Sequence, residues 1–284
     1  MVIFGRTDLA AEAHQLWQSR AQDTTQLAGV RAEEETLRGY PVTAVEILAE
    51  AGEKALGKPR GHYYSLQLPP HFPQLGQDFE RAVAALAALI RRCFPIPHPD
   101  TALVAALGNP DVTPDALGPL CADSVLVTRH LTQEPAFRAF RAVSLCRTGV
   151  LGTTGVESAL QIQTLCRAVH PACVLAVDAL AGADPEMLCR CVQVSDAGIA
   201  PGSGVGNDRA SLCLATLGVP VIALGVPTVI DAAALVSDGG LDSLFVTPRY
   251  IDSAVRQYAR LLGYAINAAL QDGLSVADMD LLLA

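Results

Sequence analysis

The chain has 284 residues, of which 51% are hydrophobic and 17% are charged. This composition supports a sizeable buried core and excludes global disorder. The formal net charge of −9 at pH 7 argues against a broad nucleic-acid-binding face, because phosphate binding needs clustered lysine and arginine side chains. We therefore expect no nucleic acid partner.

The chain contains eight cysteines but no CxxC pair. Several lie within apolar segments, such as Cys173, where a reduced thiol packs as a small hydrophobic group. The first six residues are too short for a signal peptide. These features predict reduced cysteines and a cytoplasmic protein.

One uncharged stretch, residues 210–230, has the composition of a membrane span. Gly218, Pro220, Gly225 and Pro227 interrupt it, however. The stretch therefore predicts a helix end, a turn, a buried strand and a loop, and no contact with a membrane.

The N-terminal part of the chain contains few elements. Residues 1–40 form a polar segment with one helical pattern at residues 9–17. Residues 42–48 read as a strand, and residues 64–68 alternate apolar and polar side chains with the period of a half-buried strand. We expect these two strands to pair as a β-hairpin spanning residues 42–68.

The remainder, residues 77–284, alternates apolar strands with helical patterns. The predicted strands are residues 101–107, 141–146, 173–177, 192–195 and 219–224, and the predicted helices are residues 77–93, 154–169, 184–190 and 251–270. Continuous apolar strands separated by helices indicate a mostly parallel or mixed sheet with helices on both faces. We predict an α/β protein with a three-layer α/β/α core of the phosphorylase/hydrolase-like kind, and a single domain over residues 1–284.

Three polar loops follow apolar strands, and each carries an aspartate: Asp115, Asp178 and Asp196. Ligands of doubly wound sheets bind at the carboxyl ends of the strands. Asp115 precedes a predicted helix, so capping of backbone N–H groups is an equal alternative for it. Asp178 follows a strongly apolar strand, where a buried carboxylate needs a partner, a metal ion or a shared proton.

The third of these loops is rich in glycine, with Gly202, Gly204 and Gly206 in a GxGxG pattern. This spacing differs from the GxGxxG of dinucleotide-binding folds, and the loop lacks the lysine of a phosphate-binding P-loop. The pattern favours close passage of the backbone past a neighbouring element. It also allows backbone N–H groups to serve as donors to an oxyanion.

Eight motifs occur in a specific order along nearly the whole chain. They are residues 5–10 (GRTDLA), 55–59 (ALGKP), 113–119 (TPDALGP), 177–181 (VDALA), 195–199 (SDAGI), 201–207 (PGSGVGN), 224–229 (LGVPTV) and 246–248 (VTP). This ordered set resembles the germination protease, or spore endopeptidase, family. The resemblance implies an α/β/α fold related to the hydrogenase-maturation endopeptidases, a homotetramer, and zymogen control through an N-terminal propeptide. It also implies cleavage of small acid-soluble spore proteins in the spore core during germination.

The sequence departs from the family pattern in three places. The GRTD motif begins almost at Met1, so we expect little or no propeptide. Ala200 stands where the family pattern Gly-Ile-His-Pro-Gly has a histidine. The C-terminal third is also shorter than is usual in the family.

The aspartate pair proposed for the family corresponds to Asp115 and Asp178. Two neighbouring carboxylates cannot both ionise at low cost, so one member keeps a proton. The ionised member takes a proton from the attacking water, while the protonated member hydrogen-bonds the peptide carbonyl and later protonates the leaving amine. The predicted supporting residues are Asp196, Asn109, Gly202 and Gly204.

Two other functions remain open at this point. The first is a metal-dependent peptidase of the hydrogenase-maturation type, although the chain has no HExxH motif and His170, between Cys166 and Cys173, reads better as a polar helix end. The second is a catalytically silent binding protein on the same fold. We predict no cofactor, with a metal ion as the alternative, and small acid-soluble spore proteins and further copies of the chain as partners.

Overall fold

The computed structural model describes residues 7–20, 27–69, 72, 74–94, 100–202, 209–232 and 244–284. The strands of this part are β1 (Val30–Leu37), β2 (Tyr40–Ile47), β3 (Gly61–Gln67), β4 (Thr101–Leu107), β5 (Ala142–Gly149), β6 (Cys173–Gly182), β7 (Cys191–Ser195), β8 (Val221–Asp231) and β9 (Phe245–Val246). The helices are α1 (Ala10–Arg20), α2 (Glu50–Leu56), α3 (Gly76–Arg92), α4 (Leu117–Cys121), α5 (Leu151–Thr154), α6 (Ser158–Val169), α7 (Leu214–Leu217), α8 (Ile251–Leu270) and α9 (Val276–Leu283).

All these strands belong to one sheet, with the order β1-β2-β3-β7-β8-β6-β4-β5 and the short β9 paired with β8. Strands β5, β4, β6 and β8 run parallel to one another. The pairs β1·β2, β2·β3, β3·β7 and β7·β8 are antiparallel. The sheet is therefore mixed, and its parallel half contains the predicted alternation of strands and helices.

Helices cover both faces of the sheet. On one face α3 and α8 bury side chains such as Leu86 and Leu262 against Leu175 of β6. On the opposite face α6 buries Ile162 against Leu103 of β4. These two cores confirm the predicted three-layer α/β/α arrangement.

Strand β4 and helix α8 have the predicted bounds, and the other predicted strands of the core are present. Strands β6 and β8 continue well beyond their predicted ends, to Gly182 and Asp231. The predicted helix at residues 184–190 is wrong, because this segment forms turns. Its internal bonds join residues three apart, such as the Arg190 N–H to the Met187 carbonyl oxygen at 3.1 Å, and the Cys189 N–H donates to the Pro227 carbonyl oxygen of β8 at 2.8 Å. The segment is therefore a series of turns bonded to the sheet.

The N-terminal third contains a strand that the sequence analysis does not predict. Strand β1 pairs along its length with β2, for example Glu34 with Thr43. It is an edge strand whose central residues are exposed, so its side chains carry no apolar alternation. The expected hairpin is thus part of a three-stranded antiparallel unit, with α2 in the connection between β2 and β3.

The uncharged stretch at residues 210–230 contains α7, the turn residue Gly218 with a φ of 74°, and most of the buried strand β8. Among the residues that the structure describes, no helix is long and apolar enough to cross a membrane. All eight cysteines are free, and most are buried.

Candidate active site

The parallel half of the sheet contains a point where the chain reverses its direction of winding. From β4 the chain proceeds to β5 on one side, and it then returns to β6 on the other side of β4, with β8 beyond. The loops that follow β4 and β6 therefore diverge. Open α/β sheets place their binding crevices outside the carboxyl ends of the strands at such a point.

Strands β4 and β6 differ in length at this edge. Their last pair is Ala106↔Val177, whereas β6 continues beside β8 with the pair Asp178↔Gly225 and further. Asp178 therefore lies inside β6, one residue past the last β4 pair, and not at the end of its strand as predicted. The residue is only 4% exposed, and its Oδ1 accepts a hydrogen bond from the Ala179 N–H at 2.9 Å.

Asp115 is held by the loop that follows β4, where it ends a 3₁₀ turn (Thr113–Asp115). The Asn109 N–H donates to the Asp115 carbonyl oxygen at 3.1 Å and to its Oδ2 at 2.9 Å. Gly108 has a φ of 110°, and a Cβ there would lie 2.1 Å from the Asp115 carbonyl oxygen. The capping role considered for Asp115 is not observed, because the N-cap of α4 is Ala116 and no side chain caps it.

At Gly118, the backbone of helix α4 packs directly against the backbone at the ends of β4 and β6. A Cβ at this position would lie 2.2 Å from the Leu107 carbonyl oxygen and 2.7 Å from the Val177 carbonyl oxygen. Only glycine permits backbone to pass this close to backbone. The contact fixes the position of the turn that carries Asp115 relative to the strand that carries Asp178.

Asp115 and Asp178 line one cleft with a volume of about 330 Å³. Two further charged residues, Asp8 and Arg209, also line it. Its walls are otherwise largely apolar, with contributions from Val112, Val150, Val229 and Phe245. The burial of Asp178 strengthens its electrostatic interactions with these groups, because less water screens a buried charge.

The two aspartates occupy electrostatically different positions. Burial and the nearby Asp115 carboxylate raise the pKa of Asp178 well above its usual range, and Asp8 adds to this effect. Burial also raises the pKa of Asp115, but the Asn109 N–H and the Arg209 guanidinium counteract it. Asp178 is thus the group that holds a proton more strongly, and Asp115 the group that ionises more readily.

Asp196 lies outside this cleft, contrary to its predicted supporting role. Strand β7 runs antiparallel to β8, so its carboxyl end is at the opposite edge of the sheet from the ends of β4 and β6. There the Asp196 carboxylate binds His62, with Oδ2 2.7 Å from the ring Nδ1 and Oδ1 accepting the His62 N–H at 2.7 Å. His62 Nε2 also lies 3.2 Å from a carboxylate oxygen of Glu46.

The other predicted supporting residues have separate outcomes. Asn109 is close to the pair, but it contributes its backbone N–H to Asp115, while its side-chain Oδ1 accepts the Asp111 N–H at 3.0 Å. Gly202 lines the cleft with a φ of 73°. Gly204 lies outside the described residues.

Asp8 and Arg209 are the charged cleft residues that the sequence analysis did not select. Asp8 belongs to the GRTDLA motif, so the order of the motifs contained a signal for it. Nothing in the local pattern around either residue indicates burial beside an aspartate pair. Their proximity to the pair arises only from the tertiary fold.

The cysteine and histidine pattern at residues 166–173 forms no common site. Cys166 and Cys173 are buried in the core. His170 ends α6 in the left-handed conformation, and its N–H donates to the Cys166 carbonyl oxygen at 2.9 Å. The predicted helix end is therefore confirmed. Within the described ranges, no group of three or more histidine, cysteine, aspartate or glutamate residues could hold a metal ion.

A three-layer α/β fold whose switch-point cleft holds one buried and one half-buried carboxylate defines a class of α/β proteins with an acidic cleft suited to proton transfer. Comparison with known families gives a match between residues 10–242 and the family described as germination protease. The chain belongs to the germination protease family.

Individual relatives are similar over long ranges. The germination protease of Caldanaerobacter subterraneus subsp. tengcongensis is 36% identical, covering 100% of this chain and 99% of the relative. That of Clostridium perfringens is 34% identical, covering 97% of this chain and 98% of the relative. One from Bacillus cereus is 43% identical, covering 82% of this chain and 65% of the relative.

Among solved structures, the [NiFe] hydrogenase maturation protease HycI from Thermococcus kodakarensis matches 60% of this chain and 94% of its own. The sequence identity is 17% and the TM-score is 0.36. A structural similarity this low does not support an inference about the site. The predicted kinship with hydrogenase-maturation endopeptidases therefore stays a prediction.

Proposed function

We propose that the chain is an endopeptidase of the aspartic type, in which Asp115 and Asp178 act together on a water molecule and a peptide bond. Membership of the germination protease family supports peptidase activity. The observation that carries the aspartic assignment is the burial of Asp178 in the same cleft as Asp115, whose charge raises the pKa of Asp178. A pair of this kind retains one proton over a range of pH in which isolated aspartates have lost theirs.

The different surroundings of the two residues suggest different roles. Asp178 is the protonated member, because it is almost completely buried and receives one backbone hydrogen bond, from Ala179. Asp115 is the ionised member, because the Asn109 N–H and the Arg209 charge favour its carboxylate. The general base and the general acid are thereby distinguished by environment and not by residue type.

The reaction begins when the Asp115 carboxylate takes a proton from water as the water oxygen attacks the peptide carbonyl carbon. The Asp178 O–H donates a hydrogen bond to the carbonyl oxygen, on which negative charge develops. As the C–N bond breaks, Asp178 gives its proton to the leaving amine. A proton transfer from Asp115 to Asp178 then restores the starting state.

The decisive experiment uses the purified chain, a small acid-soluble spore protein as substrate, and mass spectrometry of the products. Asp115→Asn and Asp178→Asn each remove one proton-transfer group and keep the side-chain volume, and each is expected to lower kcat by at least about 100-fold. The matched control is Asp196→Asn, which alters an aspartate outside the cleft and is expected to retain wild-type kcat. Full activity in either cleft variant, once folding is verified, would contradict the aspartic assignment.

A chelator separates this mechanism from the metal-dependent alternative. Activity of the aspartic pair is expected to persist after dialysis against EDTA. Loss of activity that one divalent metal restores would favour a metal-dependent peptidase instead. No cleavage by a folded wild-type chain, under conditions where a relative cleaves, would favour the silent binding protein.

The family also supports finer proposals about biological context. We propose that small acid-soluble spore proteins are the substrates, that cleavage occurs in the spore core during germination, and that the chain acts as a homotetramer. The family membership is the support for each of these. For zymogen control, the family resemblance and the expected lack of a propeptide make opposite predictions. Light scattering of the purified chain tests the oligomer, and mass spectrometry of the protein isolated before and after germination tests the processing step.

A further inference from the structure

The N-terminal segment before α1 docks against the free edge of β6, next to the aspartate pair. The Asp8 N–H donates to the Ala181 carbonyl oxygen at 2.8 Å, and Asp8 Oδ2 accepts the Ala181 N–H at 2.9 Å. Ala181 is three residues beyond Asp178 on the same strand. Asp8, from a distant part of the sequence, thereby satisfies both the N–H and the carbonyl oxygen of Ala181 on the strand that carries Asp178.

Neighbouring contacts fix this segment firmly. Leu9 is completely buried. The Gln193 side chain accepts the Ala10 N–H at 2.8 Å and donates to the Asp8 carbonyl oxygen at 3.1 Å. The Glu12 carboxylate accepts the Ala183 N–H at 2.7 Å. The position of Asp8 is therefore determined by backbone and side-chain bonds on both sides of it.

The Asp8 side chain is also part of the cleft itself. It is 13% exposed and lies between the cleft that contains the pair and a second cavity of about 580 Å³. Its Oδ1 is 4.0 Å from the Lys58 ammonium, which donates to the Thr7 carbonyl oxygen at 2.7 Å. Among the residues that the structure describes, the charged groups that act on Asp178 are Asp115 from the loop after β4, Asp8 from the N-terminal segment, and Arg209.

We propose that Asp8 is a positioning residue of the aspartate pair: its two hydrogen bonds to Ala181 fix the part of β6 that follows Asp178, and its carboxylate lines the cleft that contains the pair. This inference rests on the proposed aspartic function. Asp8 does not touch the reacting atoms in this scheme. It acts through the backbone of Ala181 and through the electrostatic potential of the cleft.

The test is the pH dependence of kcat/KM for the full chain acting on a spore-protein substrate. The alkaline limb of this profile reports loss of the proton from Asp178. Asp8→Asn keeps an oxygen acceptor for Ala181 but removes the charge, so the alkaline limb is expected to move to lower pH by about 0.5 to 1 pH unit. Asp8→Ala also removes the acceptor and is expected to lower kcat by a further factor of about 10 or more.

Glu12→Gln provides the matched control, because it neutralises another buried carboxylate of the same segment, one that does not line the cleft. Its alkaline limb is expected to stay at the wild-type pH. An unchanged limb in folded Asp8→Asn would overturn the proposal. An equal displacement in Glu12→Gln would also overturn it, because the effect would then not be specific to Asp8.

Lys58→Met keeps the proposal testable if Asp8→Asn does not fold. This variant leaves Asp8 in place and removes the cation beside it, so the alkaline limb is expected to move to higher pH. A limb that stays in place or moves to lower pH would contradict the proposal. Retained activity in Asp115→Asn or Asp178→Asn would instead contradict the proposed function, so the two failures are distinguishable.

Discussion

Gly118→Ala is expected to damage catalysis more than its small size suggests. The added Cβ would lie 2.2 Å from the Leu107 carbonyl oxygen, 2.6 Å from the Leu107 nitrogen and 2.7 Å from the Val177 carbonyl oxygen. All three are backbone atoms, so no side chain can rotate away. Helix α4 must therefore move away from the ends of β4 and β6, together with the turn that carries Asp115.

The size of this movement follows from the contact distances. The closest contact is about 1.2 Å shorter than an ordinary van der Waals contact of 3.4 Å, so a displacement of about 1 Å is required. Overpacking of this kind costs about 1–3 kcal/mol of stability. A displacement of about 1 Å in a catalytic group lowers the rate by about 100-fold, so kcat is expected to fall to roughly 1% of wild type.

The assay combines peptide cleavage with urea denaturation. Gly152→Ala in α5 is the matched control, since a Cβ at that position would have no atom of the described residues within 4 Å. It is expected to keep wild-type kcat and unchanged or slightly higher stability. An unchanged kcat in Gly118→Ala, whether or not stability falls, would refute the reasoning, because α4 would then not set the geometry of the pair.

Two further predictions concern titratable groups. Asp178→Asn is expected to be more stable than wild type at neutral pH by about 1–3 kcal/mol, because it removes a buried carboxyl whose ionisation is unfavourable. The native pKa is raised, so the native state binds the proton more tightly than the unfolded state, and wild-type stability falls as pH rises from the unfolded pKa through the native one. Urea titrations from pH 4 to 8 should show the advantage of the variant growing over that window, and a constant difference would contradict this account. Burial lowers the pKa of His62, but the hydrogen bond and charge of Asp196, together with Glu46, outweigh it and raise the pKa above its ordinary value. Asp196→Asn should therefore lower the His62 pKa in an NMR titration without altering kcat. A reduced kcat would instead show that Asp196 contributes to catalysis.

The sequence was sufficient to predict the elements whose apolar pattern is strong. Strand β4 and helix α8 have their predicted bounds because each buries a continuous apolar face or run. Strand β1 was missed because residues such as Glu33, Glu34 and Glu35 occupy an exposed edge. Its pairing with β2 depends on backbone hydrogen bonds, which leave no trace in the pattern of side chains.

The site was predictable only in part, for a topological reason. The aspartates after β4 and in β6 meet because these strands are parallel neighbours. Asp196 follows an equally apolar strand, but β7 is antiparallel to its neighbours, so its end points to the other edge. Strand direction depends on the whole chain path, and the local sequence does not encode it.

Strand β6 continues beyond its last pair with β4, and this difference determines which part of the chain shapes the cleft. The pairing of β4 with β6 ends at Ala106↔Val177, so Asp178 lies beyond the last pair on that side, while β8 still pairs with it on the other side. The loop that begins at Gly108 also carries Asp115, whose Oδ2 accepts the Asn109 N–H, so a change in its length would alter both the space beside Asp178 and the position of Asp115. The shape of the cleft and the geometry of the aspartate pair therefore depend on the same loop of the chain.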